Sequence, residues 1–157
     1  MNDWVALLTL CSALGSGLMA GVFFAFSTFV MRALARRPFA EGIGAMQEIN
    51  RTVLNPWFLG VFFGTAGGCL VLAGMALWEW PRSGGAYITV GCVLYLAGTF
   101  LVTAVFNVPM NDALEEVDPA GPDAASTWTT YVEKWTAWNH VRSVAALMGA
   151  ALLVLGL

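Results

Sequence analysis

Uncharged apolar stretches divide the chain at regular intervals. They cover residues 4–31, 56–78, 86–108 and 143–157. A helix that crosses a bilayer needs about 20 mostly apolar residues, so the first three stretches are long enough and the last is short. The pattern therefore predicts one membrane domain over residues 1–157, with spans at about 4–31, 56–78, 86–108 and 139–157.

The segments between the spans also carry helical signals. In the first loop Phe39, Ile43, Met46 and Ile49 or Asn50 form one helical stripe, which predicts a short amphipathic helix at the membrane interface. Residues 117–122 contain two prolines and a glycine and predict a break. Since no glycine or proline follows until Gly149, one helix should run from about 124 to 154. The fold class expected is all-α: a four-transmembrane-helix bundle whose long last helix extends into the cytoplasm.

Composition agrees with a membrane protein and excludes several site types. Hydrophobic residues make up 59% and charged residues only 11%, against roughly 25% charged in soluble domains. No basic run suggests nucleic acid as a partner. Cys11, Cys69 and Cys92 lie in apolar stretches without a C-x-x-C pair, and the single histidine excludes bis-histidine haem ligation. No His, Cys or carboxylate set has metal-ligand spacing, so no metal site is expected.

Arginines predict the orientation in the membrane. Arg32, Arg36, Arg37 and Arg51 all follow the first span, whereas the opposite side offers only Arg82 and the N-terminal amine. By the positive-inside rule, the first and third loops face the cytoplasm and both termini lie outside. The chain is thus predicted to be a multi-pass protein of the inner (plasma) membrane, surrounded by lipid.

Small residues recur at the spacing of helix-packing motifs. Gly60, Gly64 and Gly68 form one row, and Ala13, Gly17 and Gly21 form another. Such rows let helix backbones approach closely in lipid. We expect both rows to lie at helix contacts, with a monomer and a homo-oligomer both left open.

Polar residues collect at the cytoplasmic ends of the spans, and the outer ends show nothing comparable. The set is Gln47, Asn50, Asn55, Asn107, Asn111, Asn139, His140 and Arg142, with Trp57, Trp128, Trp135 and Trp138 nearby. Because unsatisfied polar groups are costly in lipid, we expect these residues to converge on one pocket. Several of these residues also have a simpler structural interpretation. Asn55 could cap a helix N-terminus, and Asn107 and Asn111 could cap carbonyls that are freed where a proline kinks or ends the helix. Arg142 could extend its side chain to the lipid headgroups by snorkelling, and the tryptophans could anchor the helices at the membrane interface.

Four segments resemble the anthrone oxygenase-like membrane family. They are residues 20–27 (AGVFFAFS), 46–51 with 55–58 (MQEINR and NPWF), 107–111 (NVPMN) and 138–142 (WNHVR). The resemblance extends over nearly the whole chain, and the pairing of N-V-P-x-N with W-N-H-x-R is its most specific part. It implies an all-helical membrane fold and oxidation of an anthrone to an anthraquinone by O2, in some members with neither metal nor flavin as cofactor.

That reaction suggests roles for the polar set. His140 is the candidate base for the acidic methylene carbon, Asn139, Asn107 or Asn111 the candidate donors to the developing oxyanion, and Arg142 the stabiliser of negative charge. The other candidate substrate-binding residues are Gln47, Asn50, Asn55, Trp135 and Trp138. The expected partner is a small, flat, apolar aromatic molecule.

Two other functions use the same features. A non-catalytic protein could hold a lipid, a quinone or another apolar ligand in the same pocket, or act as an accessory subunit. A transporter is disfavoured because no aspartate or glutamate lies within the four uncharged stretches.

Overall fold

The structure, a computed structural model, describes residues 2–78 and 84–157. Its helices are α1 (Asp3–Ala35), α2 (Phe39–Thr52), α3 (Pro56–Trp78), α4 (Gly85–Glu115) and α5 (Ala124–Leu155), and the described residues contain no strand. Four of them, α1, α3, α4 and α5, are long and apolar enough to cross a membrane. The predicted all-α four-span architecture is confirmed.

The four long helices form a ring in which each packs against its neighbours in the order α1, α3, α4, α5. Contacts between α1 and α5 join Ser16 to Ala146 and Phe23 to Asn139, so these helices are antiparallel. Thr99 with Arg142 and Asn107 with Trp135 show the same for α4 and α5. The bundle therefore runs up and down in chain order, and residues 36–55 and 116–123 connect helices at the same end.

Two apolar clusters form the core. The first lies among the four long helices and includes Met19, Phe62, Cys92 and Tyr95, all buried. The second lies where α2 covers the ends of α1, α4 and α5, and it includes Met31, Ile43, Met46, Leu114 and Trp128. The helical stripe predicted for residues 39–50 thus exists, and its Ile43 and Met46 are fully buried in this second cluster.

Close backbone approach occurs between α4 and α5. A Cβ on Gly98 would lie 2.4 Å from the Cβ of Ala145, and one on Gly91 would lie 3.0 Å from the carbonyl oxygen of Gly149. A side chain at either position would overlap its neighbour, so these glycines set the distance between the two helices.

The predicted glycine rows are only partly at helix contacts. Gly68 packs against Ser12, but Gly60 and Gly64 are exposed and would have no atom within 4 Å of an added Cβ. In the second row Gly21 has none either, and Gly17 reaches Ala150 only at 4.0 Å. The expectation is therefore wrong for Gly60, Gly64 and Gly21, because their faces of α3 and α1 point away from neighbouring helices.

Pro109 does not end α4, so the predicted helix end is wrong, whereas the alternative of a kink at this proline stays a prediction. The helix widens to π-helical turns at Leu94–Leu101 and Thr103–Asn107 and continues to Glu115. Proline lacks the N–H that an ordinary helical turn requires, and here it lies in the first turn after the wide segment, where that donor is dispensable. As a result the third span reaches beyond the predicted residue 108.

The long last helix is confirmed. It runs unbroken from Ala124 to Leu155 and directly follows the predicted break, since residues 116–123 are not helical. Its buried residues include Trp128, Trp135, Asn139, Arg142 and Ala146, which recur at steps of three, four or seven. One face of α5 thus contacts the bundle along the whole helix.

Candidate functional site

A cavity of about 440 Å³ lies at the end of the bundle covered by α2. Residues from all five helices line it, and its walls are mostly aromatic and aliphatic. The aromatic lining residues are Phe23, Phe26, Phe58, Phe62, Phe63 and Trp135. Volume and lining are typical of a site for a small apolar molecule.

Arg142 forms the buried polar end of this cavity. The residue is only 5% exposed, and its guanidinium donates to Asn139 Oδ1 at 2.6 Å and to Thr103 Oγ1 at 3.3 Å. The guanidinium carbon also lies 4.3 Å from the ring centre of Phe23 and 5.1 Å from that of Trp135, at cation–π distance. Among the described residues no carboxylate pairs with it, and its Nε is buried without a partner.

A buried cation without a counter-ion is costly, so its environment indicates function. The free Nε–H is a spare donor, and the uncompensated charge favours an anion or a developing negative charge in the cavity. Snorkelling does not explain this arginine, because its guanidinium is buried against Phe23 and Trp135 and does not reach out of the bundle.

Asn139 holds this arginine in place. Its Nδ2 donates to the Phe23 carbonyl and to Ser27 Oγ, both at 2.6 Å, while its Oδ1 accepts from Arg142. The amide is fully buried behind the cavity wall rather than in it. Ser27 belongs to the π-helical turn Phe26–Val30 of α1, and such turns are frequent at functional sites. Asn139 is therefore a positioning residue.

Asn111 lies on the wall near Trp135. Its Oδ1 accepts from Tyr131 Oη at 2.9 Å and from Trp135 Nε1 at 2.8 Å. With the oxygen fully used, the amide NH2 is the part of Asn111 left to meet a ligand. Asn50 of α2 also lines the cavity, and its Nδ2 is buried without a partner in the described part of the chain.

The mouth of the cavity carries charged and apolar residues side by side. Arg51 of α2 donates through Nε at 2.7 Å to Glu115 Oε1 of α4, and its NH2 group bonds the same oxygen. The hydrogen bond to Glu115 and the negative charge of its carboxylate raise the pKa of Arg51. Three more exposed residues line the cavity here: the acidic Asp112 and the apolar Leu54 and Phe63.

Asn107 supports the wall from behind. It is 1% exposed, and its Nδ2 donates to the Trp135 carbonyl at 3.3 Å. The asparagine therefore joins α4 to α5 next to the cavity without lining it. Of the predicted asparagines, Asn50 and Asn111 reach the cavity, whereas Asn107 and Asn139 hold its walls.

Three other candidates serve the fold. The Gln47 amide does not reach the cavity. Its Nε2 donates to the carbonyls of Leu114 at 2.9 Å and Val117 at 3.0 Å, which connects α2 to the end of α4. Asn55 caps α3, since its Oδ1 accepts from the backbone N–H groups of Trp57 and Phe58 at 3.1 Å. Trp138 stacks on Phe106 at 3.6 Å between ring centres. None of the three lines the cavity.

His140 does not join the others, so the expected convergence is wrong for this residue. It is exposed and does not line the cavity, although Asn139, one position earlier, is buried behind the cavity wall and Arg142, two positions later, lines it. One residue along a helix turns the side chain by about 100°. That rotation carries His140 to the outer face of α5.

Several site residues were not expected from the sequence. Thr103 bonds Arg142, Ser27 bonds Asn139, and Tyr131 bonds Asn111. A signal existed for two of them, because Thr103 precedes Asn107 and Tyr131 precedes Trp135 by one helical turn. Ser27 gave no comparable signal, since serine in a span commonly bonds its own helix.

The described residues contain no group of three His, Cys, Asp or Glu side chains placed to hold a metal ion. What the cavity offers is an apolar, aromatic chamber with amide donors, one buried guanidinium and carboxylates at its mouth. Such a chamber can hold a planar ligand and stabilise negative charge on it.

Comparison with protein-family models identifies a family for most of the chain. The model of the anthrone oxygenase family matches residues 57–152, which is more than half of the chain. A comparison with curated proteins finds no significant match, and neither does a comparison with solved structures. The matched segment contains the α4 and α5 residues of the cavity, Asn111, Trp135 and Arg142 among them, and the chain belongs to the anthrone oxygenase family.

Proposed function

We propose that the protein is a membrane-embedded oxygenase that converts an anthrone-type aromatic ketone to the quinone with O2. The observation that carries this proposal is Arg142, a buried cation without a carboxylate partner in the described chain, at the inner end of an aromatic cavity. Membership of the anthrone oxygenase family supports the reaction class.

The chemistry requires stabilisation of an anion. Loss of a proton from the anthrone methylene gives a delocalised carbanion whose charge resides largely on the carbonyl oxygen. Arg142 and the free amide donors of Asn50 and Asn111 suit that oxygen. Preorganised donors in a water-poor site contribute most when the charge develops in the transition state.

The oxygen step balances without a further oxidant. The carbanion carbon bonds O2 and takes up a proton to form a hydroperoxide, which loses water to leave the second carbonyl. One O2 is consumed and one water is released for each methylene oxidised. Apolar walls suit both the fused rings and dioxygen.

The test uses the full chain in lipid nanodiscs with anthrone as the probe. Anthraquinone formation and O2 uptake should exceed the spontaneous oxidation rate, and Arg142→Met should lower the enzymatic rate about 100- to 1,000-fold, as loss of an oxyanion donor does. Arg32→Met is the matched control, because Arg32 is exposed and lies outside the cavity. A wild-type rate equal to the background would refute the oxygenase.

The alternative of ligand binding without chemistry makes a separate prediction in the same samples. Anthrone would then saturate the cavity and quench tryptophan fluorescence, through Trp135, with no O2 uptake. Arg142→Met would weaken that binding without any rate to lose.

The orientation belongs to the same proposal. With four arginines in residues 32–51, the cavity end faces the cytoplasm of the plasma membrane and both termini lie outside. In a variant without native cysteines, a cysteine replacing the exposed Arg37 should react with impermeant thiol reagents only after the cells are opened. Labelling of intact cells at that position would reverse the orientation.

A further inference from the structure

We infer that Asp112 is the base that removes the methylene proton, an assignment that rests on the oxygenase function proposed above. The reaction requires a proton acceptor in contact with the substrate. His140, the one imidazole of the chain, lies outside the cavity. The acceptor must therefore be sought among the residues that line it.

The lining residues include two carboxylates, Asp112 and Glu115, and no histidine, lysine, cysteine or tyrosine. Glu115 is engaged, because Nε and an NH2 group of Arg51 both bond its Oε1. Asp112 has no ion-pair partner within the described chain. Protonation of Asp112 therefore disturbs no ion pair, whereas protonation of Glu115 would remove the negative charge that faces Arg51.

The position of Asp112 fits the shape of the substrate. One face of α4 lines the cavity. It consists of residues at positions i, i+3, i+4 and i+7 of the helix, namely Val108, Asn111, Asp112 and Glu115. Arg142 is 5% exposed at the inner end, whereas Asp112 is exposed at the mouth. An anthrone carries its carbonyl and its methylene on opposite corners of the central ring. A substrate whose carbonyl oxygen meets Arg142 therefore directs its methylene toward the mouth.

Removal of the methylene proton needs no reactant besides the substrate and Asp112. One C–H bond of the methylene breaks, the proton goes to an oxygen of Asp112, and the electron pair delocalises onto the carbonyl oxygen beside Arg142. The exposed carboxyl group can then return the proton to water. Oxygen is not needed for this step, which allows it to be measured alone.

The experiment measures exchange of the methylene hydrogens of anthrone for deuterium, under argon and in D2O, by mass spectrometry. Wild-type protein in nanodiscs should accelerate exchange above the buffer rate. Asp112→Asn should lower the accelerated rate about 100- to 10,000-fold, the usual contribution of a general base. Asp112→Glu should restore part of it, since it keeps the carboxylate.

Glu116→Gln is the matched control. It removes an exposed carboxylate four residues further along that does not line the cavity, and it should exchange at the wild-type rate. Glu115→Gln tests the other lining carboxylate, and it should slow exchange less than Asp112→Asn does. Loss of exchange in Glu115→Gln with retention in Asp112→Asn would assign the base to Glu115 and overturn the inference.

The outcomes also separate this inference from the proposed function. Wild-type protein that oxidises anthrone while Asp112→Asn exchanges and oxidises equally fast would refute Asp112 alone. Absence of both exchange and O2 uptake in the wild type would refute the oxygenase itself. Should Asp112→Asn fold poorly by circular dichroism, the exchange rates of Asp112→Glu and Glu116→Gln still test the assignment. An Asp112→Glu variant that exchanges no faster than buffer, while Glu116→Gln keeps the wild-type rate, overturns it.

Discussion

Helices α4 and α5 pack closely at one end of the bundle and leave a cavity beside them at the other end. Toward the chain termini, Gly91 faces Gly149 and Gly98 faces Ala145, so the two backbones nearly touch. Toward α2, the same helices carry Trp135, Arg142 and Thr103, and the space beside them remains open as the cavity. Small residues close one end, and large aromatic or polar residues keep the other end open.

The open end loses packing contacts between α4 and α5, and in exchange it leaves space beside a buried guanidinium. A closed helix pair gains dispersion contacts and satisfies its own backbone. The open end gives up part of that packing and buries a guanidinium whose Nε has no partner in the described chain. The ligand proposed above would account for this buried guanidinium, since an apolar side chain of similar volume would remove the desolvation cost.

The largest effect is expected where the closed end is tightest. Gly98→Val should lower the free energy of unfolding by about 1–3 kcal/mol, because the new side chain overlaps the Cβ of Ala145. Gly60→Val is the matched control, since the same substitution on α3 meets no atom within 4 Å of its Cβ. Thermal unfolding in detergent, followed by circular dichroism, compares the two variants. Equal stability would mean that α4 and α5 are not in close contact.

The glycine result also shows how far the sequence predicts this fold. Four spans follow from hydropathy alone, because charges are excluded from lipid, and the unbroken α5 follows from the absence of glycine and proline. The contact of Gly98 with Ala145 does not follow, since it depends on how two helices are rotated and aligned. Apolar residues surround each span on all sides, so the sequence leaves that rotation open.

The sequence likewise predicts some of the residues that line the cavity and misses others. Asn50, Asn111, Trp135 and Arg142 were expected at one pocket from their position at the span ends, and all four line the cavity. Asn139 and His140 could not be separated, because adjacent residues share the same depth and differ only in the face of the helix. Asp112 could not be recognised as a lining residue, because hydropathy ends the third span at residue 108 and leaves Asp112 in the loop that follows.

A smaller effect is expected at the mouth of the open end. Asn55→Ala should lower the free energy of unfolding by about 1 kcal/mol, because the N–H groups of Trp57 and Phe58 lose their acceptor. Asn2→Ala is the matched control: Asn2 stands at the start of α1 without a side-chain hydrogen bond to the helix. Chemical denaturation in mixed micelles compares the two. An equal loss in both would show that the cap contributes nothing specific to α3.

The smallest effect is expected at His140, which belongs to the open end by depth but to the outer surface by rotation. His140→Ala should change the free energy of unfolding by less than about 0.5 kcal/mol, as exposed substitutions usually do. Its oxidation rate with anthrone should equal that of the wild type, because no lining residue of the cavity changes. Asn139→Ala, one position earlier, frees the Phe23 carbonyl and leaves Arg142 without its 2.6 Å acceptor, and it should lose most of the activity. Steady-state O2 uptake by the two variants measures the contrast within a single helical turn. A large loss of O2 uptake in His140→Ala would mean that α5 turns its histidine inward when substrate binds. The imidazole would then belong to the reactive site at the open end of the bundle.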